Sequence, residues 1–128
     1  MPAFDAPGLV AWLKDVDAAS LDRLACGALG FDADGTLRQY NTVEAAGSGV
    51  DASRLLGQNV FFTVAPCMNN YLVAQRFEDA LAHDEALDEI VDFVLTWRMR
   101  PTHVRLRLVA MPQAPLRYVL VERRVPAA

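Results

Sequence analysis

Cysteine and histidine are scarce: the 128 residues hold two of each. Small secreted domains stapled by disulfides usually carry four or more cysteines. Cys26 and Cys67 therefore read as free thiols in a reducing compartment. His83 and His103, with two distant cysteines, give no zinc spacing. Long apolar runs are missing as well. No stretch approaches the ~20 residues that cross a bilayer, and Met1-Pro2-Ala3-Phe4-Asp5 lacks the basic and apolar regions of a signal peptide. The expectation is a soluble, cytoplasmic protein with no membrane partner. Basic charge is also short, with 12 Lys+Arg against 16 Asp+Glu and a net charge of −4. That balance argues against a nucleic-acid groove, which needs a basic face. Internal repeats and low-complexity segments are absent from the sequence.

What is present is a folding composition. Hydrophobic residues make up 53% and charged residues 22%, at a length that favours one domain. We divide it into an N-terminal helical arm over 1–19 and a main domain over 20–128. In the arm, Leu9, Leu13 and Val16 share a helical face with Trp12 beside it. Ser20 is placed to cap a short turn running to Leu24. Ala25 to Phe31 is an apolar run, read as a buried strand. Asp32-Ala33-Asp34-Gly35 is a hairpin turn, because Asp-Gly suits the positive φ angles of tight turns. It is not a calcium loop: Leu37 and Val43 stand where such a loop needs Gly and Glu. Thr36 to Tyr40 is the returning strand.

Short helices follow. Asn41 to Ala46 makes a helical turn ended by Gly47-Ser48-Gly49. Asp51 or Ser53 opens another through Leu56, stopped by Gly57. Val60 to Val64 is apolar and leads into Ala65-Pro66-Cys67. Asn69 or Asn70 caps a longer helix through His83, with Val73, Phe77, Ala80 and Leu81 facing inward. The last third is β. Val91, Phe93, Leu95, Trp97 and Met99 alternate with Asp92, Val94, Thr96 and Arg98. Val104, Leu106 and Leu108 alternate with His103, Arg105 and Arg107, and Leu116 to Val125 is the final strand. The order predicts an α+β fold: a five-stranded antiparallel sheet with helices on one face, of the PAS type, plus the helical arm. Fold alone assigns no function.

Enzyme motifs are weak. A nucleophile elbow around Ser48 needs glycines two residues either side, where this chain has Ala46 and Val50. A Cys–His pair stays open, since such pairing is spatial, but the histidines read as exposed positions on a helix end and a strand. The more informative set is Tyr40, Glu44, Ser48 and Cys67. Tyr40, Glu44 and Ser48 are spaced four apart, so on a helical stretch they stack along one face. Tyr40 and Glu44 can then aim an O–H and a carboxyl at one point, and two such donors stabilise a buried anion. Spacing alone favours a plainer reading, a solvated Glu44 and a half-buried core Tyr40. Cys67 lies between Pro66 and a helix start, where the thiolate is favoured. Cys26, inside an apolar strand, looks like ordinary packing.

These residues also carry a resemblance. The runs Leu37-Arg38-Gln39-Tyr40-Asn41, Glu44, Gly57-Gln58-Asn59, Val64-Ala65-Pro66-Cys67 and Met99-Arg100-Pro101-Thr102 resemble the photoactive yellow protein family, in order and at nearly the family's spacing, over about residues 20–125. The resemblance implies a PAS-fold blue-light photoreceptor rather than an enzyme. Its chromophore would be trans-4-hydroxycinnamic (p-coumaric) acid, a thioester on Cys67 whose carbonyl takes the Cys67 backbone N–H. Tyr40 and Glu44 match the donors to the phenolate oxygen. Ser48 stands where the family usually has threonine, supporting Tyr40. Met99 matches a methionine that assists dark recovery. Val50, Val64, Ala65, Pro66 and Leu95 complete the implied binding site. On illumination Glu44, kept protonated by burial, passes its proton to the phenolate. The buried carboxylate left behind is costly, so the domain loosens and frees the arm.

Some positions depart from the family. Val50 replaces a pocket-covering arginine, for which Arg98 and Arg100 are the expected compensation. Val60, Leu95 and Trp97 replace aromatic positions. The implied partner is a separate downstream signalling protein, with the chain a monomer or weak dimer. The alternatives are a PAS-type ligand-binding or interaction module without chromophore, and a small thiol enzyme built on Cys67.

Overall fold

The computed structural model describes residues 2–96 and 101–123. Trp97, Arg98, Met99 and Arg100, with the expectations placed on them, lie outside the described residues. Five strands form one antiparallel sheet: β1 (Gly27–Phe31), β2 (Leu37–Tyr40), β3 (Leu87–Leu95), β4 (Thr102–Ala110) and β5 (Arg117–Arg123). Their spatial order is β2-β1-β5-β4-β3, so the first and last strands of the chain pair at the centre, with Leu29 opposite Val119. Among the described residues five short α-helices accompany the sheet: α1 (Leu9–Leu13), α2 (Ala18–Leu21), α3 (Thr42–Ser48), α4 (Ala52–Leu55) and α5 (Ala74–Ala82). This is the α+β arrangement that the sequence predicts.

Each strand turns alternate residues to opposite faces, and both faces are covered. On one face, Leu29, Phe31, Leu106, Leu108, Val119 and Val121 pack with Val60, Val73 and Phe77 from the segment that crosses over between β2 and β3. On the other, Ala28, Val109, Tyr118 and Leu120 pack with Phe4, Leu9, Leu13, Leu21 and Leu24. Double coverage explains why β1 reads as a continuous apolar run: all five of its residues are buried.

The β1–β2 turn forms as the Asp-Gly signal predicts, with Gly35 at φ +82°. Asp32 Oδ1 accepts the N–H groups of Asp34 and Thr36, and Asp32 Oδ2 takes the Arg38 guanidinium at 3.0 Å. Gly49 and Gly57 have positive φ beyond α3 and α4, where a left-handed residue ends a helix without the Cβ penalty.

Several local expectations shift. Asp17, not Ser20, caps α2, accepting the Ser20 N–H at 2.7 Å. A carboxylate at that position accepts the same orphan N–H a hydroxyl would. Val60–Val64 winds into a π-helical turn capped by Asn59. Asn70 accepts N–H bonds from Leu72 and Val73, and the helix it precedes starts only at Ala74. Leu81 is 49% exposed rather than inward-facing, because it sits on the last turn of α5, lining surface recesses. β2 begins at Leu37, since Thr36 bridges to Asn59 instead.

The largest departure is Arg107. Alternation places it on a polar strand face, yet it is buried. The arm covers that face, and the guanidinium is satisfied there. It donates to the carbonyls of Phe4 and Ala6 at 3.1 and 2.7 Å and makes two bonds to Asp88 at 2.8 and 2.9 Å. Arg105 adds a stacked contact over the Phe4 ring, 5.2 Å from its centroid.

Candidate functional site

The site is built around Asn41, which follows β2 directly. Its Oδ1 accepts the Glu44 N–H at 3.0 Å, capping α3, and also the Ala28 N–H at 2.9 Å. Its Nδ2 donates to the carbonyls of Leu21 and Cys26, both at 3.0 Å. One buried amide thus fixes α3 against β1 and the end of the arm. Asp22 Oδ1 adds a bond from the Thr42 N–H. With the cap fixed, Glu44 falls in the first turn of α3 and lies over Gly27 of β1. A Cβ at Gly27 would collide with the Glu44 carboxylate, so the close approach needs glycine there.

One recess gathers the predicted chemistry. Tyr40, Glu44, Ser48 and Cys67 all line it, with Val64, Ala65 and Leu95 among its walls. Leu29, Leu55, Met68 and Arg123 complete the lining. It holds about 430 Å³ of space, counted with its open mouth. Val50 and Pro66 do not line it. Pro66 is exposed, and Val50 packs partly buried against the helix-side core. Val60 is fully buried in that core. His83 and His103 are exposed and elsewhere.

Tyr40 ends β2 and does not share a helical face with Glu44 and Ser48 as the spacing predicts, yet it meets Ser48, the contact that the resemblance implies. Their oxygens are 2.5 Å apart, and Ser48 Oγ accepts the Val50 N–H at 3.2 Å. Burial pushes the Tyr40 phenol above its ordinary value of 10.0, and the Glu44 charge adds to that. The Ser48 bond and the Arg123 charge pull the other way.

Glu44 is not the solvated carboxylate of the plainer reading, because only 5% of it is exposed. Nor is it turned toward Tyr40 as a second donor. Arg123 takes both of its oxygens in parallel bonds of 2.6 and 2.9 Å, and this pairing raises the Arg123 guanidinium above its ordinary range. A two-bond guanidinium–carboxylate contact is stronger than a neutral phenol bond, which explains the choice. Sequence reading missed Arg123, although a signal was there. It follows Val119 and Val121 at a spacing of two, on the core side of β5. A charged residue in that register needs a buried partner.

The two thiols separate. Burial pushes the Cys26 thiol up to about 11, so it stays protonated at neutral pH. Cys67 sits in the 3-10 turn Pro66–Met68, partly exposed, with its carbonyl accepting from Asn70 Nδ2 at 3.0 Å. The recess therefore offers a reachable sulfur, a phenol held by a serine, a buried carboxylate and apolar walls. Among the described residues no group of three His, Cys, Asp or Glu is placed to hold a metal ion, and no helix is long and apolar enough to cross a membrane.

No protein-family model matches the chain. Photoactive yellow protein of Halochromatium salexigens is 32% identical over 96 residues, covering 75% of this chain and 76% of that protein. Photoactive yellow protein of Rhodothalassium salexigens is 28% identical over 111 residues, 87% of this chain and 88% of that one. Among solved structures, the photoactive yellow protein domain of the sensor histidine kinase Ppr from Rhodospirillum centenum superposes with a TM-score of 0.77 at 30% identity, covering 90% of this chain and 97% of that domain. The sheet order and helix placement described above are those of the PAS fold.

Proposed function

The chain belongs to the photoactive yellow protein family of PAS photosensors, and we propose that it works as a blue-light receptor through p-coumaric acid held as a thioester on Cys67. The observation that supports this most is the convergence of Tyr40, Glu44, Ser48 and Cys67 on one recess. When bound, the hydroxycinnamoyl group supplies visible absorption and a double bond that light isomerises.

The chain's own residues do the rest. Cys67 Sγ anchors the acyl carbon. Leu29, Val64, Ala65 and Leu95 exclude water along the recess. Tyr40, held by Ser48, would donate a hydrogen bond to the far oxygen, and Glu44, in its acid form and turned from Arg123, would donate the second. An oxygen anion in apolar surroundings needs such donors, because burying it bare costs several kcal/mol. Glu44 would hold the proton that the far oxygen takes up after illumination. Asn41 holds the Glu44 backbone N–H and bonds Leu21, Cys26 and Ala28 as well, so a change at Glu44 reaches the segment that follows the arm. Output passes to a separate signalling protein, with light rather than substrate turnover driving the cycle, and the site of action is the cytoplasm.

Incubation of the purified chain with activated p-coumaric acid tests the anchor. Mass spectrometry should show one hydroxycinnamoyl group per chain on the peptide containing Cys67, retained in Cys26→Ala and lost in Cys67→Ala. Labelling of Cys26 instead, or no labelling, would reject the proposal in favour of a ligand-binding PAS module without this chromophore.

A further inference from the structure

Arg123 is the charged residue lining the recess that the photosensor reading leaves without a role. It belongs to β5, whose Val119 and Val121 lie in the helix-side core, and it lines the recess from a strand two places away from β2. Both of its terminal nitrogens are committed to Glu44. The fold makes room for this pair on two sides. Gly27 leaves space for the carboxylate, and a Cβ at Gly47 of α3 would collide with the guanidinium. Two glycines from different elements thus bracket one ion pair.

We propose that Arg123 is the seat of the Glu44 carboxylate, a positioning residue that receives Glu44 whenever its proton has left. The inference deepens the photosensor reading and rests on it. Glu44 then has two stations. As an acid it turns to the oxygen beside Tyr40. As a carboxylate it lies on Arg123, between Gly27 and Gly47. The step balances simply: the O–H bond of Glu44 breaks, its proton goes to the basic oxygen held in the recess, and the electron pair stays on the carboxylate. Arg123 keeps all its own protons and neutralises the new charge. The transfer therefore creates an ion pair in place of a bare buried charge, which removes much of the cost of the deprotonated state. The other titratable groups around Glu44 are Tyr40 of β2, Cys26 before β1 and Cys67 across the recess. Tyr40 and Cys26 are both pushed toward their neutral forms, so among the described residues Arg123 is the cation that faces the carboxylate.

The chain without chromophore provides the first test, so its outcome does not depend on whether the pigment forms. Infrared spectra at pH 7, differenced against Glu44→Gln to isolate one carboxyl, should show Glu44 as carboxylate in the parent chain. Arg123→Gln should lose that signal and gain the carbonyl stretch of one protonated acid. Arg123→Lys, which keeps the charge but not the paired bonds, should show a shifted carboxylate band. It decides the matter alone if Arg123→Gln does not fold, as judged by circular dichroism. An unaltered Glu44 spectrum in the folded variants overturns the seat. In the pigment-loaded chain, loss of Arg123 should shorten the lifetime of the illuminated state about tenfold, the factor that corresponds to about 1.4 kcal/mol. An unchanged lifetime contradicts the proposal, whereas failure to load pigment at all bears on the photosensor reading and leaves the infrared result standing.

Discussion

Asn41 holds Glu44 in place: the Asn41 side-chain oxygen accepts the Glu44 N–H at 3.0 Å and so sets where α3 begins. The same amide bonds Ala28, Leu21 and Cys26. The Glu44 backbone and the Leu21–Cys26 segment that follows the arm therefore share one buried anchor. A rearrangement at Glu44 that strains α3 is felt at that segment through a single side chain, with no long relay required.

Replacing Asn41 by Ala removes the cap and takes the side-chain partner from the Ala28 N–H and the Cys26 carbonyl, while the Leu21 carbonyl keeps the Leu24 N–H at 3.3 Å. Such losses cost about 2–4 kcal/mol together. Urea unfolding should show that drop. Asn41→Asp, which keeps the acceptor oxygen and loses the two donated bonds, should retain the cap and recover part of it. A loss below half a kcal/mol in Asn41→Ala would mean that water replaces the amide freely.

Gly27→Ala drives a methyl group into the Glu44 carboxylate. Overpacking of this kind costs about 1–3 kcal/mol, and here it also displaces Glu44 from Arg123. Thermal unfolding should fall, and the Glu44 carboxylate band in the infrared should shift with it. Gly8→Ala is the matched control, because nothing lies within 4 Å of a Cβ there.

Arg107 fastens the arm from beneath. Changing it to Met strips the Phe4 and Ala6 carbonyls of their shared donor and leaves Asp88 unpaired from it. Hydrogen exchange over residues 2–24 should speed up more than exchange in β1 and β5. Phe4 remains buried in its own right, so the arm should loosen without unfolding the sheet. Equal acceleration everywhere would show that Arg107 supports the whole domain instead.

Alkali should destabilise the fold. Burial raises the Cys26 thiol from 9.0 to about 11 and pushes the Tyr40 and Tyr118 phenols upward too. For such acids the unfolded chain releases its proton first. At pH values between the two thiol values it therefore binds fewer protons than the native state, and stability falls as pH rises. The Cys26 contribution is complete below pH 9 and lost progressively toward pH 11. Denaturant midpoints measured across that range should decline, and Cys26→Ala should flatten the early part of the decline. Native thiol labelling at pH 8 should reach Cys67 well before Cys26.

Much of this was legible in residues whose roles are local. The Asp-Gly turn, the glycine stops at Gly49 and Gly57, and the alternation in β4 each act through backbone geometry within a few residues, so the sequence displays them directly. The recess was legible through Tyr40, Glu44, Ser48 and Cys67. What stayed hidden depended on distant partners. Arg107 looks like a solvated strand residue until the arm, a hundred positions away, lies across it. Arg123 and Glu44 are separated by 79 positions, and only the central pairing of β1 with β5 brings them together. Asn41 reads as a simple helix cap, although its other three bonds reach back 13 to 20 positions. Spacing rules see a helix turn or a strand pleat, whereas buried polar groups choose partners through the tertiary fold.

The most direct test of the account is the visible difference spectrum of the chain loaded with p-coumaric acid, recorded before, during and after blue illumination. A functioning receptor gives a yellow dark form that bleaches in light and returns in darkness. In Glu44→Gln the pigment should persist while the infrared signature of carboxyl deprotonation disappears. A yellow adduct that light leaves unchanged, or a Glu44→Gln variant with the parent's proton-transfer signal, would contradict it.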